Sequence, residues 1–228
     1  MANAREILSR MKSVQDTRKI TNAMYLISST KLKKSKKLLE ETEPYFYSLQ
    51  DLIRRILRHM PDVEHFYFNP RKEIKEEDRV KGLIVITGDK GLAGAYNHNV
   101  LKMAQEWMEQ SKNHRLYVVG ELGRHYFEAR HIQVEEQFHY TVQNPTMHRA
   151  RLISSTILED YEEGRLDEVW IIYTQMINSM QMEAEMTELL PLKRRISAIL
   201  SSLLISFRRR YRWYLPPALL WTMWSPTM

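Results

Sequence analysis

Cysteine is absent from all 228 residues, which excludes a disulfide framework, thiolate metal sites and a cysteine nucleophile. Glycine and proline are scarce, at 7 and 8, and that scarcity favours long regular elements, helices above all. No apolar run approaches the roughly 18 residues of a spanning helix. The first ten residues carry charges and no apolar core, so no secretory signal is expected there. These absences predict a cytoplasmic protein, or one bound to something that faces the cytoplasm. What is present is ordinary for a folded chain: 43% hydrophobic and 27% charged residues.

The net charge of +6 conceals three segments. Residues 1–60 hold 13 basic and 6 acidic side chains, residues 61–190 hold 14 and 22, and residues 191–228 hold 7 and none. A general attraction to nucleic acid therefore does not follow from the total, and each segment must be read alone.

From Ala4 to about His59 the only proline is Pro44 and glycine is missing. Stepping alternately four and three residues gives Ile7, Met11, Val14, Arg18, Thr21, Tyr25, Ser28, Leu32, Ser35, Leu39, Thr42, Phe46, Leu49, Ile53 and Ile56. This heptad seam predicts one helix of about 75–80 Å, too long for a small globular domain and in need of a partner along its length. Pro44 is expected to kink it or to mark a hand-over between two helices. The middle of the seam is small and polar (Thr21, Ser28, Ser35), which weakens pairing and allows close approach. Around it Lys31, Lys33, Lys34, Lys36 and Lys37 spread positive charge over much of the circumference. A solvated face explains such a run most simply; a contact surface for acidic partners is the sharper alternative. The run lacks the interleaved aromatics of a nucleic-acid stacking platform.

The middle of the chain alternates strand-like and helical stretches. Lys81–Thr87 reads as a buried parallel strand, followed by a glycine-containing loop and a helix from Asn97 to about Glu109. A strand at Arg115–Val119, a helix near Leu122–Arg130, a short strand at Ile132–Glu135 and a helix over Thr146–Glu162 come next. Glu168–Thr174 and Met180–Leu189 read as two further strands. The fold class is α/β: a long N-terminal coiled-coil helix (residues 1–60) and a doubly wound, Rossmann-like domain (residues 61–192).

The loop after the first strand has glycines at 88, 91 and 94, a G-x-x-G-x-x-G spacing. Dinucleotide fingerprints and P-loops need other spacings, and Asp89 would repel a phosphate, so a tight structural turn is expected. The eight histidines are scattered singly with no metal-binding pair, and no nucleophile elbow appears. Glu76-Glu77 and Glu162-Glu163 lie in polar stretches and read as solvated. No catalytic residue, cofactor site or metal site is expected.

Several separated segments, in order, resemble one family. Ser13-Val14-Gln15-Asp16-Thr17-Arg18-Lys19-Ile20-Thr21-Asn22-Ala23-Met24, with Lys31-Leu32, is similar to the start of the γ subunit of F-type ATP synthases of the bacterial type. Thr87-Gly88-Asp89-Lys90-Gly91-Leu92-Ala93-Gly94-Ala95-Tyr96-Asn97 resembles that family's first central loop. Glu163-Gly164-Arg165-Leu166-Asp167 and Leu189-Leu190-Pro191-Leu192 resemble later parts of its central domain. The resemblance implies a central rotor stalk whose N-terminal helix pairs with a C-terminal helix inside a ring of α and β catalytic subunits. The α/β domain would then grip the ε subunit and the membrane c-ring. Catalysis would belong to β, with this chain carrying torque at the cytoplasmic face of a bacterial membrane, peripheral to the bilayer and without nucleic acid. Lys19, Met24, Lys31 and Lys33 are the implied contacts to the catalytic ring, and Ala23, Ser28 and Ser29 suit a low-friction surface. Asn22 departs from the cation usual in many relatives. Without cysteine, the thiol regulation of chloroplast versions is not expected.

After Leu192 the resemblance stops. No acidic residue follows Glu188, and three of the five tryptophans lie in residues 193–228, where the family's second long helix is not recognisable. A shifted reading frame explains the abrupt change best; a membrane-interface anchor and a true truncation are the alternatives. A truncation would leave the seam of Ile7–Ile56 without a partner. The rival to the rotor reading is a membrane-surface or nucleic-acid-associating coiled-coil protein with an inert α/β domain.

Overall fold

The computed structural model describes residues 4–59, 65–68, 71, 73–136, 138–143, 145–178 and 181–192. The basic, tryptophan-rich segment 193–228 lies outside the described residues. Two units make up the chain, residues 1–63 and 64–228.

Helix α1 fills the first unit from Ala4 to His59. Its 56 residues correspond to about 84 Å. Pro44 lies inside it and neither ends nor divides it, so the expected hand-over does not occur. Proline removes one donor and crowds the carbonyl four residues back, a cost of about 3 kcal/mol. The flanking turns keep the remaining ladder, and Ser48 Oγ donates to the Pro44 carbonyl at 2.8 Å. Thr17, Thr21, Thr30 and Thr42 likewise donate to the carbonyl four residues upstream at 2.7–2.9 Å. These bonds use up hydroxyls that would otherwise compete for the helical backbone.

In the second unit a single helical turn, Phe66–Phe68, precedes β1 (Lys81–Ile86), α2 (Tyr96–Gln110), β2 (His114–Val119) and α3 (Glu121–Glu128). Helix α4 (Met147–Glu162) and strands β3 (Glu168–Met176) and β4 (Met182–Leu190) follow. The sheet order is β2-β1-β3-β4; β1 is parallel to both β2 and β3, and β4 is antiparallel to β3. Strand β1 is apolar on both sides because both faces are covered. On one face Leu83, Val85, Leu116, Val118 and Ile172 meet Val100, Leu101, Ala104 and Trp107 of α2 and Phe127 of α3. On the other, Ile84, Tyr117, Val119 and Val169 meet Ile157 and Tyr161 of α4. The doubly wound expectation is met.

The expected strand at Ile132–Glu135 is instead a wrap around the free edge of β2. Val134 is buried in the α2/α3 core, while Phe138 is buried in the α4 core. A chain passing from one face to the other cannot keep a regular ladder. It leaves isolated bonds, Glu135 N–H to Leu116 O at 2.9 Å and Gly120 N–H to Tyr140 O at 2.8 Å.

Helix α4 has recognisable start and stop chemistry. The Thr146 hydroxyl accepts the Arg149 N–H at 3.2 Å. Gly164, at φ +77°, ends the helix, and the Arg165 N–H returns to the Asp160 carbonyl at 2.9 Å. The segment Glu163–Asp167 thus serves as a helix stop that delivers Leu166 into the core and Asp167 to the start of β3.

Candidate functional site

Where β1 ends, the strand order reverses between β1 and β3, the place at which open α/β sheets bind ligands. Here that place is closed by the chain itself. The Thr87 hydroxyl accepts the Gly123 N–H at 3.0 Å and donates to Val119 O at 3.2 Å. Asn97, buried, accepts the Gly88 N–H at 2.7 Å. Asp89 Oδ1 accepts the N–H groups of Glu121 at 3.3 Å and Val142 at 3.1 Å. A carboxylate therefore sits at the N-terminus of α3 and meets its backbone donors. Gly120 fits the same junction: at φ +104°, a Cβ there would lie 2.4 Å from the Thr87 carbonyl oxygen. The loop is a structural turn, as its spacing indicates.

A polar cleft of about 190 Å³ lies among Glu76, Arg79, Lys81, Gln110 and Lys112. Arg79 and Lys81 are matched there by Glu168 at 3.0 and 3.7 Å, and Lys81 also by Glu76 at 3.9 Å. Arg79 and Lys81 are thus already engaged by carboxylates, and Glu76 and Glu77 line the same cleft beside Lys112. Elsewhere the buried Tyr117 and Asp160 are tied to each other and to the fold. Tyr117 donates to Asp160, which also receives Arg165 Nε at 2.6 Å and lies 3.4 Å from Arg115. Burial, then that hydrogen bond, pushes the Tyr117 phenol well above its usual range, so it stays protonated and inert. Among the described residues no group of three metal-ligating side chains forms, and no helix is long and apolar enough to cross a membrane.

The remaining candidate is the surface of α1. Ile7, Met11, Val14, Tyr25, Leu32 and Leu39 of the seam are all exposed, Val14 at 68% and Tyr25 at 71%. Met24 is 50% exposed on the same helix. Lys19 reaches Asp16 at 3.3 Å, a solvated pair of small energetic weight. Lys31 and Lys33 are exposed and make no ion pair among the described residues. This surface can bind along its length, but it holds no arrangement for making or breaking bonds.

Sequence reasoning missed the segment that leads into β1. The Arg71 guanidinium donates to Leu166 O and to Asp167 Oδ1, each at 2.8 Å, and to Tyr161 O at 2.5 Å. It also lies over the Tyr161 ring at 4.7 Å. Tyr67 donates to Glu162 at 2.7 Å, and its phenol is pushed up to about 12 by burial and by that bond. Nothing in the local pattern around Asn69-Pro70-Arg71-Lys72 signals these partners, which lie some ninety residues away.

Comparison with known proteins agrees with this arrangement. A family model described as ATP synthase matches residues 3–211. The ATP synthase gamma chain of Acetivibrio thermocellus is 45% identical over 193 residues, covering 85% of this chain and 65% of that one. The gamma chain of Ruminiclostridium cellulolyticum is 46% identical over 198 residues, covering 86% and 66%. A sodium-ion-specific gamma chain from Acetobacterium woodii is 36% identical, covering 83% and 61%. The chain thus spans just under two thirds of the length of these relatives. The central stalk of the Tetrahymena thermophila mitochondrial ATP synthase shares the fold at a TM-score of 0.57, with 23% identity over 75% of this chain and 72% of that one. With the model matching nearly all of the sequence up to residue 211 and relatives at this identity, the chain belongs to the ATP synthase gamma-chain family.

Proposed function

We propose that this chain is the central rotor stalk subunit of a proton-translocating F-type ATP synthase, carrying torque between a membrane c-ring and a catalytic α/β ring and catalysing nothing itself. The observation that carries the reading is α1, 56 residues of uninterrupted helix with its apolar seam residues, Lys31 and Lys33 exposed. A shaft must be long and laterally stiff, and a helix of this length has no use inside a domain of the size of the second unit. Family membership and the relatives' names support the same reading.

On this reading, residues 1–60 form the shaft and residues 61–192 the α/β domain that meets the ε subunit and the c-ring. The seam at Ile7, Met11, Val14, Tyr25, Leu32 and Leu39 packs against a second helix. Lys19, Met24, Lys31 and Lys33 face the catalytic ring. The cations meet successive carboxylates of the ring as the shaft turns, and partial desolvation makes those contacts orientation-sensitive. The complex sits at the cytoplasmic face of a bacterial cell membrane, with this chain peripheral to the bilayer.

Co-expression with α and β subunits tests the proposal. The chain is expected to co-purify with both and to raise the ATPase rate of the mixture. A chain that neither joins nor activates an α/β complex overturns the rotor reading.

A further inference from the structure

The chain enters the α/β unit through residues 65–80 and leaves β4 at Leu190–Leu192, and these two passages are tied together. The Leu192 N–H donates to Tyr67 O at 2.7 Å. Beside that tie, Tyr67 reaches Glu162 at 2.7 Å, and Tyr161 and Leu190 lie in the core under Leu192. Arg71 then fastens the entering segment to the end of α4 and the start of β3. Its guanidinium makes bonds to Leu166 O, Asp167 Oδ1 and Tyr161 O and stacks on the Tyr161 ring. The partner carboxylate is itself held, because Asp167 Oδ2 accepts the Val80 N–H at 2.8 Å and the Asp167 N–H returns to Val80 O at 2.8 Å.

Mechanically this arrangement is an anchor. A single covalent strand swivels about its own φ and ψ bonds and transmits little twist. A segment fastened at Tyr67, Arg71 and Val80, and tied to the departing strand at Leu192, cannot turn without breaking charge-assisted hydrogen bonds in a largely buried setting. Side-chain exposures of 18% for Arg71 and 6% for Asp167 mean that water competes poorly for these bonds. The pair joins residues 96 positions apart, so it fixes the entry against the far side of the fold and not against itself.

We propose that Arg71 is a positioning residue for torque: it bolts the segment that follows the shaft onto the α4–β3 corner, so that twisting load passes between the α/β unit and the chain entering it. This inference rests on the rotor reading. In complexes reconstituted into vesicles with the α, β, ε and membrane subunits, protons pumped per ATP hydrolysed are measured for the wild-type chain, Arg71→Gln and Arg71→Lys. A double substitution of the exposed Lys102 and Lys112 to Gln serves as a surface control. Arg71→Gln is expected to lower pumping per ATP several-fold while the subunit stays in the complex, with Arg71→Lys intermediate and the control at the wild-type ratio. A role in stability alone would lower the amount of assembled complex and leave the ratio per complex unchanged. Wild-type pumping per ATP in Arg71→Gln overturns the anchor; should that variant not assemble, the same result in Arg71→Lys overturns it. If the wild-type chain supports no coupled pumping, the rotor reading itself fails, and the two failures are told apart.

Discussion

Asp89 caps a helix that begins 32 residues further on: its Oδ1 accepts the Glu121 N–H at 3.3 Å at the head of α3, and the Val142 N–H at 3.1 Å. The carboxylate supplies the negative charge and the acceptor that a helix N-terminus favours. Two consequences follow for experiment. Asp89→Ala leaves two backbone donors unmatched and is expected to lower stability by about 1–3 kcal/mol, read from the urea midpoint. Titration calorimetry of the isolated chain with ATP or NAD is expected to show no binding at this loop.

Gly120 gives a sharper stability test. A methyl group there would sit 2.4 Å from Thr87 O, on backbone at φ +104° that L residues avoid. Gly120→Ala is expected to cost more than about 2 kcal/mol, with the strain of the backbone and the clash adding. Gly91, with open space around the same position, serves as the comparison, and Gly91→Ala is expected to change the midpoint by less than about 0.5 kcal/mol. Equal effects at the two glycines would contradict the packing described.

Alkaline pH should loosen the α/β unit. The phenols of Tyr67, at about 12, and Tyr117, higher still, lie above their ordinary value of 10.0 through burial and hydrogen bonds to Glu162 and Asp160. A folded-state pKa that is raised favours the protonated form in the native protein. The contribution is therefore complete below pH 10 and is lost as pH climbs from 10 through 12. Phenolate absorbance is expected to rise late relative to free tyrosine and to coincide with loss of near-UV circular dichroism. Tyr67→Phe removes the bond to Glu162 and is expected to shrink the alkaline loss of stability without altering the fold at pH 7.

The parts of this molecule legible in its sequence are those fixed by local pattern. Helix α1 shows in the missing glycines and the four-three spacing, and β1 and β3 show in β-branched runs. The α4 boundaries show in Thr146 and Gly164. Pro44 does not hand one helix over to another, because a long helix absorbs one lost bond when its neighbours are intact. The wrap that buries Val134 and Phe138 misleads at Ile132–Glu135: apolar Ile132 and Val134 alternating with polar Gln133 and Glu135 look the same whether they extend a sheet or pass around its edge. Arg71 was invisible because its partners, Tyr161, Leu166 and Asp167, are brought to it only by the completed fold. The closed loop at Asp89 stands between these cases. The glycine spacing and the acid disfavoured a phosphate from sequence alone, but the carboxylate's use as a cap needed α3 in place.

The shaft surface yields the last prediction, which separates a local contact from bulk charge. Lys31 and Lys33 are exposed on α1, while Lys102 and Lys112 are exposed in the α/β unit. Reversing the first pair (Lys31→Glu with Lys33→Glu) and reversing the second (Lys102→Glu with Lys112→Glu) change the net charge equally. If the first pair meets carboxylates of the catalytic ring, its reversal replaces attraction by repulsion at partly desolvated contacts. A loss of about 1–3 kcal/mol at each corresponds to roughly 5–150-fold weaker association. The second reversal is expected to change association less than about twofold, since distant charges are screened beyond about 8 Å at physiological ionic strength. Association with the α/β ring and the ATPase rate at low and at high salt provide the measurement, and the gap between the two variants should narrow as salt rises. Equal losses from both reversals would assign the effect to overall charge and remove Lys31 and Lys33 from the contact.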